Sequence, residues 1–272
     1  MGKWENGKNA NSKIVNREMR AFMLVMSLLY SVSGICQGKS STTAMVTIKG
    51  GTYIPLYSPN AQKADVKSFE MDIYPVTNSD FLAFVKNNTE WQKSKVKSIF
   101  ADSNYLKQWE SDFSFNKRLA NSPVVNVSWF AAKKYCECQG KRLPETAEWE
   151  LAAKASESKA DASKDVEFNQ WVLNWVTKPN PPVLPAVGST FRNFYGVYDM
   201  HGLVWEWTYD FNSALTTGES RGNSSPDNTL FCGGGSFSAN DVNNYASFMR
   251  FALRSSVKAR YGVANLGFRC VK

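Results

Sequence analysis

The chain has 272 residues, 43% hydrophobic and 14% aromatic, with a formal net charge of +8. That much apolar material builds a buried core and excludes disorder along the whole length. The charge does not mark a nucleic-acid binder: Lys3, Lys8, Lys13, Arg17 and Arg20 crowd the first 38 residues, and beyond them Lys and Arg alternate with Asp and Glu without a basic run interleaved with aromatics.

Arg17 and Arg20 precede an apolar run over 21–32, followed by the small residues Ser33, Gly34 and Gly38. Residues 1–38 are therefore expected to be a signal peptide, leaving one domain over 39–272. The run is about twelve residues where a bilayer span needs about twenty, so no stable transmembrane helix is expected. The implied location is the periplasm or cell envelope. Cys36 raises a lipid anchor, which is disfavoured because Ile35 is a poor fit to the small residue that such processing wants. With cleavage near Gly38, Cys136, Cys138, Cys232 and Cys270 remain in a compartment that permits disulfides, and four cysteines allow three pairings.

Two short strand-like runs occupy 45–54, broken by Gly50 and Gly51, and a third spans 69–74 before Pro75. Thr77 and Asn78 are suited to cap a helix to Asn87, with Phe81, Leu82, Phe84 and Val85 at helical spacing. Residues 89–121 read as loop and short helix. A strand is expected over 122–127, then a helix over 129–138 opened by Ser128 and ended by Gly140. A second helix is expected over 145–155, with Pro144 at its start and Trp149 on its buried face. Residues 156–164 and 178–185 read as exposed loops.

Three segments carry a resemblance: SPVVNVSWFAAKKYCECQGKRLPETAEWELAAKA over 122–155, YGVYDMHGLVWEWTYDF over 195–211, and the pair GGGSF (233–237) and NLGFRC (265–270). They are similar, in order, to the formylglycine-generating enzyme (sulfatase-modifying factor) family, including its "GKRLPTEAEWE" turn, here with Glu145 and Thr146 transposed, and its "GLYDMxGNVWEWxxD" segment. The family fold is a variant of the C-type lectin fold. The resemblance therefore implies an α+β, irregular, loop-rich architecture with short strands and a few helices.

The resemblance also implies a structural calcium ion held by the side chains of Asp199 and Glu206 and the carbonyls of Gly202 and Val204. A tight Gly-containing loop between two carboxylates suits a hard cation at about 2.4 Å. The competing reading is that Asp199 caps a turn and Glu206 pairs with an arginine. A second family calcium falls near 168–175, where Asn169 is a candidate in a divergent loop. The family's oxidases hold copper(I) with two thiolates, the first three residues after the Ser of the GGS motif and the second five further on. Those positions fall on Ala239 and near Asn244, and no cysteine lies between Cys232 and Cys270. Copper is not expected, because an oxygen or carbon side chain does not replace a soft thiolate. The single histidine, His201, cannot build a two-His iron site and is expected at the surface.

The resemblance further implies a Cys136–Cys270 disulfide. Cys138 and Cys232 are left to pair, to stay as thiols, or to form a soft-metal site. A residual groove lined by Trp205, Ser236, Arg254 and residues 240–244 is expected to take an extended peptide, with Trp205 equally suited to the core. The function expected is a non-catalytic module binding a protein or peptide partner in the cell envelope, with a diverged metal-dependent oxidoreductase as the alternative.

Overall fold

The computed structural model describes residues 43–55, 63–212 and 242–272. Within them lie short strands and five α-helices with long irregular connections, and no closed barrel. No described helix is long and apolar enough to cross a membrane. The strands are β1 (Met45–Ile48), β2 (Gly51–Tyr53), β3 (Ala64–Val66), β4 (Phe69–Asp72), β5 (Trp205–Glu206) and β6 (Leu266–Gly267). The helices are α1 (Asn78–Asn87), α2 (Trp129–Cys138), α3 (Thr146–Ala153), α4 (Val166–Thr177) and α5 (Val242–Ser256).

Strand β1 pairs antiparallel with β4, aligning Met45 with Asp72 and Ile48 with Phe69. β2 pairs antiparallel with β3, and β5 lies parallel to β6. The carboxyl-terminal segment ties these pieces together through backbone bonds. Glu70 N–H donates to Lys272 O, Asp72 N–H to Cys270 O, Val76 N–H to Phe268 O and Arg142 N–H to Val271 O. Residues 129 to 202 positions apart are thereby held at ladder spacing.

Each helix start has a local cause. Thr77 and Asp80 form a reciprocal capping box on α1, Ser128 accepts from Ala131 N–H on α2, and Glu145 with Glu148 boxes α3. Gly140, at φ 67°, closes α2 in the left-handed region that a side chain disfavours. α1 and α2 share a core of rings: Phe81 lies 5.9 Å from Tyr135 and 6.2 Å from Phe268, and Trp207 is 5.0 Å from Phe211. A second core joins Ile48, Met71, Trp149, Met200 and Val271, all 2% exposed or less.

Two expectations are corrected here. Residues 122–127 form no ladder strand, because their backbone bonds disperse: Val124 N–H goes to Val76 O and Asn126 N–H to Val263 O, with Asn126 itself at φ 57°. Residues 168–175, read as a divergent loop, lie inside helix α4, capped by Asp165.

Cys136 and Cys270 form the expected disulfide, closing a separation of 134 positions. Cys138 is also disulfide-bonded, with its partner outside the described residues. In the chain-entropy account, removing the Cys136–Cys270 link by Cys136→Ala with Cys270→Ala is expected to cost about 4 to 5 kcal/mol. Thermal or urea unfolding under non-reducing conditions checks this, and a midpoint unchanged from the parent would contradict it.

Candidate functional site

The site is framed by α3, whose sequence Glu148-Trp149-Glu150 sends three side chains to three different partners. Glu148 accepts both guanidinium arms of Arg142 at 2.6 Å, which fastens the turn before the helix to its first turn. Trp149 Nε1 donates to Glu206 Oε2 at 2.8 Å. Glu150, 7% exposed, accepts from Arg250 Nη2 at 2.8 Å and from Arg254 Nη1 at 2.6 Å. Arg254 also lies over the Trp149 ring, 5.0 Å from its centre. Burial alone would raise the Glu150 carboxyl, but the two guanidinium charges override it and hold the pKa down at about 2.

Glu206 is the second carboxylate of this centre. Arg269 Nε and Nη2 reach both its oxygens at 2.7 to 3.0 Å, and neither side chain has measurable exposure. Asp199, at φ 60°, accepts from the Gly188 N–H, the Thr190 N–H and the Thr190 hydroxyl, and so caps the 188–190 turn. Gly202, at φ 96°, passes so close to the next turn that a Cβ there would sit 2.9 Å from Thr190 Cγ2.

These contacts bear on the implied calcium. The carbonyls of Gly202 and Val204 accept no described hydrogen bond. Both Glu206 oxygens, by contrast, are committed to Arg269 and Trp149, and Asp199 is committed to its turn. A divalent cation at Glu206 would sit against a buried guanidinium, so the four residues as arranged do not fit a calcium cage. Asn169, the candidate for a second site, donates to the carbonyls of Ser163 and Asp165 and so braces the start of α4. Among the described residues no group of three His, Cys, Asp or Glu side chains could hold a metal ion.

His201 is buried at 2% exposure, not at the surface. Aromatic rings exclude water from it: Trp149 lies 5.8 Å away and Phe168 5.9 Å away. Its Nε2 faces Ala153 O at 2.9 Å while Nδ1 has no partner. Burial, with the nearby Arg250 charge adding to it, drives its pKa down to about 3, so the ring is neutral. Trp205 is half-buried against Trp175, 5.0 Å between ring centres. Trp205 and Arg254 therefore stand at the two ends of a row of ring contacts running through Trp175, His201 and Trp149. Ser236 and Ala239 lie outside the described residues, as does the side chain of Asn244 within α5. The long-range acid–base pairs were not readable from spacing; the available signal was Arg250, Arg254 and Arg269 in a stretch, 242–272, that has no Asp or Glu.

The sulfatase-modifying factor enzyme 1-like domain family matches residues 35–272. Among curated proteins, serine/threonine-protein kinase pkn1 of Chlamydia caviae is 30% identical over 177 residues, which is 62% of this chain and 28% of that protein. This chain thus spans little more than a quarter of the chlamydial relatives' length. The bovine inactive C-alpha-formylglycine-generating enzyme 2 is 29% identical over 242 residues, 68% of this chain and 76% of that protein. Mouse formylglycine-generating enzyme is 27% identical over 253 residues, 77% of this chain and 67% of that protein. Among solved structures, CarF overlays with a TM-score of 0.46 at 16% identity, covering 85% of this chain and 98% of that one.

A neutral histidine whose folded pKa lies below its unfolded value contributes stability that is fully present above about pH 6.5 and lost as the pH falls toward about 3. The slope it adds is about 1.4 kcal/mol per pH unit inside that window. His201→Gln is expected to flatten the stability profile between these limits; an identical slope in parent and variant, from urea midpoints across the range, would contradict the burial of a neutral ring.

Proposed function

Because this chain belongs to the sulfatase-modifying factor enzyme 1-like family, we propose that it is an exported member that keeps the family scaffold, of C-type-lectin type, as a non-catalytic module binding a peptide or protein partner in the cell envelope. The observation that carries this is the donor set. The two positions where the family's oxidases place copper(I) thiolates fall on Ala239 and on or near Asn244 here, and the sequence has no cysteine between 232 and 270. A methyl and an amide give copper(I) neither soft donor. His201 offers no substitute, since its Nε2 is held by Ala153 O inside an aromatic cage. Family membership supplies a fold, and the site decides the chemistry.

What survives of the site is a rigid frame. Arg254 and Trp205, the described members of the expected groove, are held by Glu150 and Trp175 and need no cofactor to stay in place. Such a frame suits recognition of an extended chain, where preorganised side chains reduce the ordering cost of binding. A second reading, a diverged oxidoreductase, is favoured by the likeness to mouse formylglycine-generating enzyme over 77% of this chain. It requires a metal held by residues other than those at 239 and 244.

Incubating the purified mature chain with copper(I) and a cysteine-containing peptide in air separates the two. The module reading predicts no retained copper by elemental analysis and no aldehyde on the peptide; stoichiometric copper with aldehyde formation would overturn it. For calcium, the committed Glu206 predicts a melting temperature unchanged by EDTA. A fall of several degrees on chelation would show that the resemblance outranks the internal pairing at that loop, since a ligand of the native state stabilises it by mass action.

A further inference from the structure

Helix α4 leaves much of its apolar surface uncovered. Of its twelve residues only Asn169 and Val172 are buried, while Val166 is 71% exposed and Trp171 40%. Trp171 nevertheless has a fixed orientation: Phe191 meets it edge-on at 4.9 Å and 88°, and Phe168 meets Phe191 edge-on in turn at 6.0 Å. These rings wall a cavity of about 830 Å³ between α4, residues 156–158 and residues 189–191. That volume lies in the range of small-ligand sites, which combine an apolar wall with a few polar groups.

The polar groups on the wall are unbalanced. Glu157, Asp165 and Glu167 face one ammonium, that of Lys178. Asp165 is already engaged, accepting from Lys159 at 2.7 Å and capping α4 at Phe168 N–H. Glu157 and Glu167 are in no ion pair among the described residues, although the Lys159 ammonium that binds Asp165 is near enough to feel the Glu167 charge. Two carboxylates outside any ion pair, beside the 40% exposed indole of Trp171, complement a planar cation: the ring quadrupole attracts its face and the carboxylates accept its N–H groups. A neutral ligand would use the rings and leave the negative surplus unmatched.

We propose that this cavity is a binding site for the guanidinium side chain of a basic peptide segment. It shares no residue with the donor positions behind the non-catalytic reading, so either statement survives failure of the other. Arginine fits better than lysine because a guanidinium is less strongly hydrated and stacks flat on indole.

The test uses two blocked pentapeptides, acetyl-Gly-Gly-Arg-Gly-Gly-amide and the same peptide with neutral citrulline, titrated into the whole chain at low salt by calorimetry or NMR. The arginine peptide is expected to bind at least tenfold more tightly. In the Glu157→Gln, Glu167→Gln double variant, whose exposed side chains leave the melting temperature unchanged, its affinity is expected to drop to that of the citrulline peptide. Trp171→Ala is expected to weaken both. Equal affinity for the two peptides, an arginine affinity unchanged in the double variant, or saturation by neither peptide would overturn the proposal. So would methyl glucoside binding that is indifferent to the two Gln substitutions, which would make the cavity a neutral-sugar site.

Discussion

The structure depends on one fully buried guanidinium. Arg269 sits between the carboxyl-terminal strand and everything that strand joins. It gives Nε and Nη2 to Glu206, Nη1 to the carbonyls of Asp72 and Ile73, and Nη2 also to Tyr198 O. A buried charge of this kind is tolerated only when its counter-charge and every donor are matched. Matching it fixes the positions of β4, the 198–206 loop and β5 at once. Lys141 with Asp72 at 2.5 Å and Cys270 with Cys136 fasten the segments on either side of it. The planar fork matters as much as the charge, since a lysine ammonium cannot reach a carboxylate and three carbonyls lying in different directions.

The same economy governs the rest of the site. Each buried glutamate among the described residues has an arginine: Glu148 has Arg142, Glu150 has Arg250 and Arg254, and Glu206 has Arg269. The charges of the site are paired with one another inside the protein. The depressed carboxyl of Glu150 follows from this pairing, as does the poor fit of a cation to Glu206, whereas the neutral ring of His201 follows from its burial. Glu157 and Glu167, exposed and outside any ion pair among the described residues, lie instead on the flank around α4, beside aromatic walls.

Much of this frame was legible in the sequence, and the reasons are local. Helix α2 occupies 129–138 as expected, because Ser128 and Gly140 bracket it and Ala131, Ala132, Tyr135 and Cys136 mark its buried face. α1 follows from Thr77 and the Phe81, Phe84, Val85 stripe. α4 escaped notice because it buries so little that its pattern resembles a loop, although Asp165 followed by Phe168, Val172 and Trp175 carried a cap and a helical spacing. α5, over Val242–Ser256, is not among the elements expected from the sequence. The expected strand at 122–127 had the right composition, but its partners are three separate segments. His201, expected at the surface as a residue of the implied calcium loop, is instead enclosed where α3, α4 and the 199–204 loop meet. Pairings such as Glu206 with Arg269 or Glu150 with Arg250 join positions 63 and 100 apart, beyond any spacing rule.

The most direct measurement is a double-mutant cycle on Arg269→Met and Glu206→Leu, read by urea unfolding of the oxidised chain. If the pair is the hub, each single change strands a buried charge and costs about 3 to 5 kcal/mol. The double variant then costs less than their sum by at least about 2 kcal/mol, since residues in direct contact couple. Strictly additive costs would show that the two side chains stabilise the fold independently and would contradict the account.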